Sequence, residues 1–278
     1  MRHEIAGPQA VPQELRQPLI ELLQSLADDE FVLGFWDSEW TGVAPLLEED
    51  VACSSIAQDE IGHARLYYQR LSDLTGLSPD QLAYGRGPEE YRQAQLVERR
   101  RGDWAFTIAR QFLYDTADQL RLEMLAGSTY LPLAQDVRKM QREETYHQMH
   151  FSAWMQRLAN GTAEARRRLE DALQSLWPDA LGQFESLPGE ERLLHTGVLT
   201  HSSSDLQQQW LAALAPFFAR LRLPFPAVGD PSSEGEIVVY TPTIAARTGG
   251  RRGQHTQDFI DLWEQMTMVY RIEPQARW

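Results

Sequence analysis

The chain has 278 residues, 42% of them apolar and 24% charged, with a formal net charge of −14 and one cysteine, Cys53. A polyanion without a long basic run argues against a nucleic-acid partner, a lone cysteine excludes an internal disulfide, and no apolar run approaches the roughly 18 residues of a membrane span. The opening Met-Arg-His-Glu-Ile-Ala-Gly-Pro lacks the apolar core of a secretory signal, so a cytoplasmic protein with no membrane contact is expected. The length exceeds that of a common domain, yet a large helical bundle with peripheral helices accommodates it. One domain over 1–278 is expected, with a bundle core at about 28–160 and C-terminal helices and a docking tail over 161–278.

Nearly every segment reads helical. After Pro8 and Pro12, residues 13–26 place Leu15, Leu19, Leu22, Leu23 and Leu26 at helical spacing. Asp28 fits the N-cap of a next helix carrying Phe31, Phe35, Trp36 and Glu39. Gly42 and Pro45 mark a turn; a helix follows from about Glu48, acidic in its first turn, to Gly76. Cys53 sits on it and reads as a small core residue rather than a nucleophile. Residues 76–102, rich in Gly, Pro and charge, read as a crossover with one short helix from Pro88. Helices are expected over about 103–126 and 131–160, with Gly127, Ser128 and Pro132 at the turn between them and Asn160-Gly161 closing the second. Residues 162–177 and 204–221 are amphipathic. Residues 222–254 change character, with Pro224, Pro226, Gly229, Pro231 and Gly235, an extended-looking Ile237-Val238-Val239-Tyr240, and Thr248-Gly249-Gly250. A last helix is expected over about 255–270.

Two of these helices carry one pattern. Asp59-Glu60-Ile61-Gly62-His63 and Glu143-Glu144-Thr145-Tyr146-His147 are both acid-Glu-x-x-His, and 21 residues upstream of each second glutamate stands another, Glu39 and Glu123. Every matched position is offset by 84 residues. Positions i and i+3 share a helix face, so each Glu-x-x-His turns two ligand groups toward one point. Ten residues out to the bundle end and ten back, about 15 Å each way, would bring the lone glutamate level with the pair. Each half then reads as a helical hairpin, and 29–75 should superpose on 113–159 about an approximate two-fold axis. A single Glu-x-x-His in an acidic helical chain is usually a surface pair; three positions repeating at one offset, each bracketing a turn, are much harder to obtain by chance.

Glu39, Glu60, His63, Glu123, Glu144 and His147 would be the six protein ligands of a carboxylate-bridged di-iron or di-manganese bundle. The expected fold is all-α: a ferritin-like four-helix bundle with extra peripheral helices and an irregular C-terminal excursion. Hard oxygen ligands with imidazole favour a di-iron pair, manganese being possible, in a site able to activate dioxygen. Asp59 and Glu143 can each accept a hydrogen bond from the ligand histidine of the opposite hairpin; the simpler alternative is that both are solvated helix acids. Phe35, Trp36, Ile56, Tyr67, Gln119, Leu120, Met140 and Phe151 lie one turn from these positions. Such aromatics are more often plain core, and the polar Gln119 is the more interesting pocket candidate. His3, His150, His195, His201 and His255 lack a glutamate three residues before them and read as non-ligands. The clusters Arg99–Arg101, Arg166–Arg168 and Arg251-Arg252 read as solvated faces, with phosphate docking at the first as a minority alternative. No residue is assigned a catalytic role.

The run Ser38-Glu39-Trp40-Thr41-Gly42-x-Ala44-Pro45, followed by Ile56-Ala57-x-Asp59-x-x-Gly62-x-Ala64-Arg65, resembles the multicomponent ring 1,2-phenylacetyl-CoA epoxidases of phenylacetic acid degradation. So do Asp103-Trp104-Ala105-x-Thr107-Ile108-Ala109-Arg110-Gln111, Tyr146-His147, and the tail Arg247-Thr248-Gly249-Gly250-Arg251-Arg252-Gly253-x-His255-Thr256. The resemblance runs from about residue 25 to the end. It is strongest to the family's C-type subunit, the ferritin-like partner of the catalytic A-type subunit. It implies a complex that epoxidises the ring of phenylacetyl-CoA, or a related acyl-CoA, with an A-type ferritin-like partner, other epoxidase subunits, and a flavin and iron–sulfur reductase as electron donor. C-type subunits of the family have lost most metal ligands, whereas this chain has ligand-type residues at all six positions, as A-type subunits do. A C-type partner with an intact site, a metal-free scaffold and a self-sufficient di-iron oxygenase subunit therefore all stay open. Six polar groups left unpaired in a bundle interior would be costly, which favours metal. An iron store or a manganese catalase would share the ligands but not the tail.

Overall fold

The computed structural model describes residues 3–230 and 238–274. The first leg of the bundle is a single helix, α1 (Gln13–Ser38). It runs unbroken through Asp28, which is therefore not an N-cap. The Asp28 carboxylate is fully buried, ion-paired with Arg86, and accepts from Tyr68 Oη (2.6 Å) and the Arg92 backbone N–H (2.8 Å). A residue type that usually caps helices here pins a distant segment to a helix interior, because a guanidinium and a phenol satisfy it in place of its own backbone.

After a turn over residues 39–46, α2 (Leu47–Thr75) returns and ends on Gly76, whose φ of 81° takes the left-handed cap conformation. The crossover holds α3 (Pro79–Tyr84), a 3-10 turn at Pro88–Glu90 and α4 (Gln95–Glu98), more structure than the one short helix expected. The second hairpin is α5 (Trp104–Leu125) and α6 (Leu131–Ala159). Asp103 Oδ1 caps α5 by accepting from the Phe106 backbone N–H at 2.9 Å.

Beyond the hairpins come α7 (Ala163–Gly182), a short α8 (Glu190–Thr196) that sequence periodicity does not announce, and α9 (Ser203–Leu221). Strands β1 (Ala227–Asp230) and β2 (Val239–Pro242) pair antiparallel with Ala227 opposite Pro242. Pro231, Gly235 and Ile237 lie outside the described residues. The last helix is divided into α10 (Gln257–Met266) and α11 (Met268–Ile272). The fold is thus all-α and ferritin-like, with a two-stranded ribbon. Its apolar core is continuous from Leu19 and Phe31 of α1 through Phe112 of α5 to Trp210 and Phe218 of α9. Among the described residues no helix is long and apolar enough to cross a membrane.

Candidate metal centre

Between the hairpins, Glu30, Glu60, His63 and Glu144 are all buried and each offers one ligand atom within 4.8 Å of the others. His147 joins them: its Nδ1 is 3.5 Å from Glu60 Oε1 and 3.3 Å from Glu144 Oε1. His63 Nδ1 is 3.3 Å from Glu144 Oε1 and 3.6 Å from Glu30 Oε2. Both imidazoles thus direct Nδ1 inward, with ring centres 6.3 Å apart.

Their outer nitrogens reach across the hairpins. His63 Nε2 is 2.8 Å from Glu143 Oε2, and His147 Nε2 is 3.3 Å from Asp59 Oδ2. These two pairs exchange under the 84-residue offset, and they are the contacts that the spacing of Asp59 and Glu143 leads one to expect. Each carboxylate, accepting from Nε2–H, fixes the tautomer that leaves Nδ1 as a free donor toward the cluster.

Glu39 and Glu123 are not part of this cluster. Helix α1 stops at Ser38, so Glu39 lies at the bundle end, with its side chain 40% exposed and 3.9 Å from Arg101. Glu60 lies 13 residues into α2, about 20 Å along the axis from that end. The turn falls next to the lone glutamate rather than midway between the ligand candidates, and this removes the assumed symmetry of ten residues out and ten back. Glu123 is likewise near the end of α5, exposed, and accepts from Gln119 Nε2 at 3.3 Å. Their matching offset does not bring these two glutamates to the cluster.

The helix positions they were expected to fill are taken by residues nearer the helix centres. Glu30 holds the α1 position, its Oε1 accepting from Tyr114 Oη at 2.9 Å. On α5 the nearest buried acid without a hydrogen bond is Asp115, with Glu144 and His147 among its electrostatic neighbours. Glu30 precedes Glu60 by 30 residues and Asp115 precedes Glu144 by 29, a one-residue slip that a strict repeat conceals. A signal did exist: Asp28-Asp29-Glu30 interrupts the apolar run from Leu22 to Phe35, and acids in mid-stripe need buried partners.

Other expected pocket residues are elsewhere. Gln119 and Leu120, with Glu123, line an outer cleft of about 300 Å³ between α5, α6 and α9, walled by Phe112 and Phe217. Ile56 is buried in the core, and Phe35 packs edge-on against Phe31 with ring centres 5.1 Å apart. Cys53 is buried, and burial pushes its thiol up to about 12, which suits a core residue and not a nucleophile. Arg99 pairs with Asp179, Arg100 with Asp258 and Asp261, and Arg101 lies over the Trp40 ring. All three are engaged within the chain, which speaks against phosphate docking at that cluster. Arg251, expected on a solvated face, is buried.

Protonation follows from this crowding. Burial opposes the charged form of His63, but the adjacent Glu144 and Glu30 carboxylates outweigh it and raise its pKa to about 11. His147 is raised as well, burial being overcome by Asp59, Glu144 and Glu60. Burial alone would raise Glu144, yet the two imidazoles beside it bring it down to about 2. Glu60 is raised well above the usual carboxylate range by burial and by the neighbouring Glu30.

Several cluster atoms make no hydrogen bond of good geometry in the protein: Glu30 Oε2, both Glu60 oxygens and His147 Nδ1; the buried Asp115 carboxylate nearby on α5 makes none either. Buried polar atoms in native proteins are almost always satisfied, so an orphaned set of this size at one point calls for a bound group. Carboxylate oxygens with inward imidazole nitrogens are the donor set of a hard or borderline divalent cation. These residues fit such ions, and the cluster is compatible with a di-metal site.

Fold and site together define a class: a ferritin-like bundle with a buried carboxylate–imidazole cluster between two Glu-x-x-His helices. Residues 1–278 match the family described as phenylacetic acid catabolic protein, and the chain belongs to that family. It is 29% identical over 255 residues to the C-type subunit of 1,2-phenylacetyl-CoA epoxidase from Escherichia coli (strain K12), covering 91% of this chain and 96% of that protein. To the A-type subunit of the same organism's enzyme it is 24% identical over 221 residues, covering 78% of this chain and 71% of the relative. The similarity to the C-type relative is thus the higher of the two and spans more of both chains.

Proposed function

We propose that the chain is the C-type subunit of a cytoplasmic multicomponent oxygenase that epoxidises the ring of phenylacetyl-CoA or a related acyl-CoA. In this reading Glu30, Glu60, His63, Asp115, Glu144 and His147 hold a pair of iron ions, manganese being the alternative. The observation that carries it is the orphaned buried cluster in a chain that resembles a C-type epoxidase subunit over nearly its whole length. Bound there, the metal pair supplies dioxygen activation with electrons from a reductase. Tyr114 donates to one oxygen of Glu30 and leaves the other facing the cluster. Asp59 and Glu143 hold the Nε2 protons, keeping both Nδ1 atoms inward.

The partner is an A-type subunit, with which this chain acts as a pair. A coenzyme A thioester needs cations for its phosphates, and the arginines at 99–101 are already occupied by internal partners. Elemental analysis of the purified chain and turnover assays, with reductase, of the chain alone and with its A-type partner test the proposal. About two iron or manganese ions per chain, and epoxidation only in the reconstituted complex, are expected. A chain that takes up no metal refutes the site. Substantial turnover by the chain and reductase alone would instead establish the second reading, a self-sufficient catalytic subunit, which the intact cluster favours.

A further inference from the structure

Arg251 belongs to the glycine-rich tail, yet its guanidinium reaches the carboxylate beside Glu30. It donates to Asp29 Oδ1 at 2.9 Å and to Asp29 Oδ2 at 2.7 Å. The same group donates to the backbone carbonyls of Ser25 on α1 (3.2 Å) and Arg92 in the crossover (2.9 Å). Both partners are buried. The tail backbone is shaped to make this insertion possible. Gly249 and Gly253 have φ of 117° and 78°, a region side chains avoid, while Gly250 and Gly253 press against the carbonyls of Gln93 and Glu89 where a Cβ would not fit. Beyond the insertion, His255 Nδ1 lies 2.6 Å from Glu98 Oε1, anchoring the strap.

A bidentate arginine–carboxylate pair fixes orientation as well as charge. Successive residues on α1 are about 100° apart around its axis, so three consecutive buried acids point three ways. Asp28 is held by Arg86 and Tyr68, Asp29 by Arg251 and the Ala94 backbone N–H with Arg121 3.9 Å away, and Glu30 enters the cluster. Docking alone could be served by the backbone contacts and the Glu98 anchor. The arginine adds a rigid grip on the residue next to a cluster carboxylate.

We propose that Arg251 is a positioning residue of the metal centre: by clamping Asp29 it fixes the rotation of α1 that presents Glu30. This rests on the metal reading above. Cobalt(II) added to the full-length chain is the probe, read by its d–d absorption bands and binding isotherm, with far-UV circular dichroism as the check on fold. Arg251→Gln is expected to remain helical, shift the d–d bands and bind cobalt about tenfold more weakly. Arg251→Lys should fall between it and wild type. Arg252→Gln, on the same strap but with an exposed side chain paired with Glu185, should match wild type. Should Arg251→Gln fail to fold, the double variant Asp29→Asn/Arg251→Gln removes the stranded anion and takes the same measurement. A folded variant of either kind with wild-type bands and affinity overturns the proposal and leaves the metal reading standing. A wild-type chain that binds no cobalt overturns both.

Discussion

Acids and imidazoles crowded into one dry volume cannot all keep the protonation they have in water. With metal stripped away, protons must hold the charges together, and the direction of each shift sets a pH window. His63, ordinarily near 6.5, is raised to about 11, so its stabilisation is complete below 6.5 and is lost as pH rises toward 11. Glu144, ordinarily near 4.5, is lowered to about 2, so its contribution is complete above 4.5 and is lost as pH falls toward 2. The chelator-treated chain should therefore be most resistant to urea between these limits and weaken on the alkaline side. Added cobalt, which replaces those protons, should move the optimum to higher pH. Denaturation midpoints across pH with and without metal check this; a flat alkaline limb in the stripped chain would contradict it. Substitutions give a sharper residue-scale test. Glu30→Ala and Glu144→Ala should each cost most of the bound metal, while Glu39→Ala and Glu123→Ala, at exposed positions, should leave elemental content at wild-type level.

At the scale of elements, local chemistry made some boundaries legible. Asp103 before Trp104, Gly76 after Thr75 and Asn160-Gly161 after Ala159 place helix ends correctly, because caps depend on residues a few positions away. The Glu-x-x-His helices were legible for the same reason, since i and i+3 are close whatever the rest of the chain does; their cross-pairs, 80 and 88 residues apart, were legible only through the repeat of the motif. Asp28, Asp29 and Arg251 were not. Their partners are 58 and 222 residues distant, and no periodicity reports a bond of that span. Nor could spacing place the lone carboxylates, because that needed the position of the turn. Two glycines show how tertiary contact overrides propensity. Gly62, in mid-α2, has nothing within 4 Å of where a Cβ would stand, so Gly62→Ala should stabilise the chain by about 1 kcal/mol. Gly182, also helical, lies against the Arg247 carbonyl, and Gly182→Ala should destabilise by about 1–3 kcal/mol. Opposite shifts of the urea midpoint are the expected result, and two shifts of the same sign would contradict the packing.

At the scale of the whole molecule, the C-terminal segment completes the bundle's charge pairing rather than merely covering it. Asp29 and Glu98 are buried acids, and each takes its closest cationic or imidazole partner from the tail, Arg251 and His255. An acid left buried without its partner is strongly destabilising, on the order of 3–5 kcal/mol, against a total stability of about 5–15 kcal/mol. A chain ending at Ala246 should therefore lose its cooperative thermal transition even though every bundle helix is present. Calorimetry of the truncated chain checks this, and a sharp transition near the wild-type temperature would show that the tail is dispensable.

The cluster's outer wall is unlike the rest of its surroundings. His63 and His147 have side chains 4% and 0% exposed, yet each outer nitrogen is covered by one carboxylate that is itself 50% exposed for Glu143 and 31% for Asp59. Swinging either acid aside is a rotamer change, a motion of picoseconds to nanoseconds at exposed positions, and requires no helix to part from its neighbour. An ion held at the proposed site is then expected to leave between α2 and α6, the imidazole following its freed carboxylate, on a timescale uncoupled from unfolding. The rate at which a chelator extracts bound cobalt should accordingly be insensitive to urea well below the denaturation midpoint, with Glu143→Ala accelerating it.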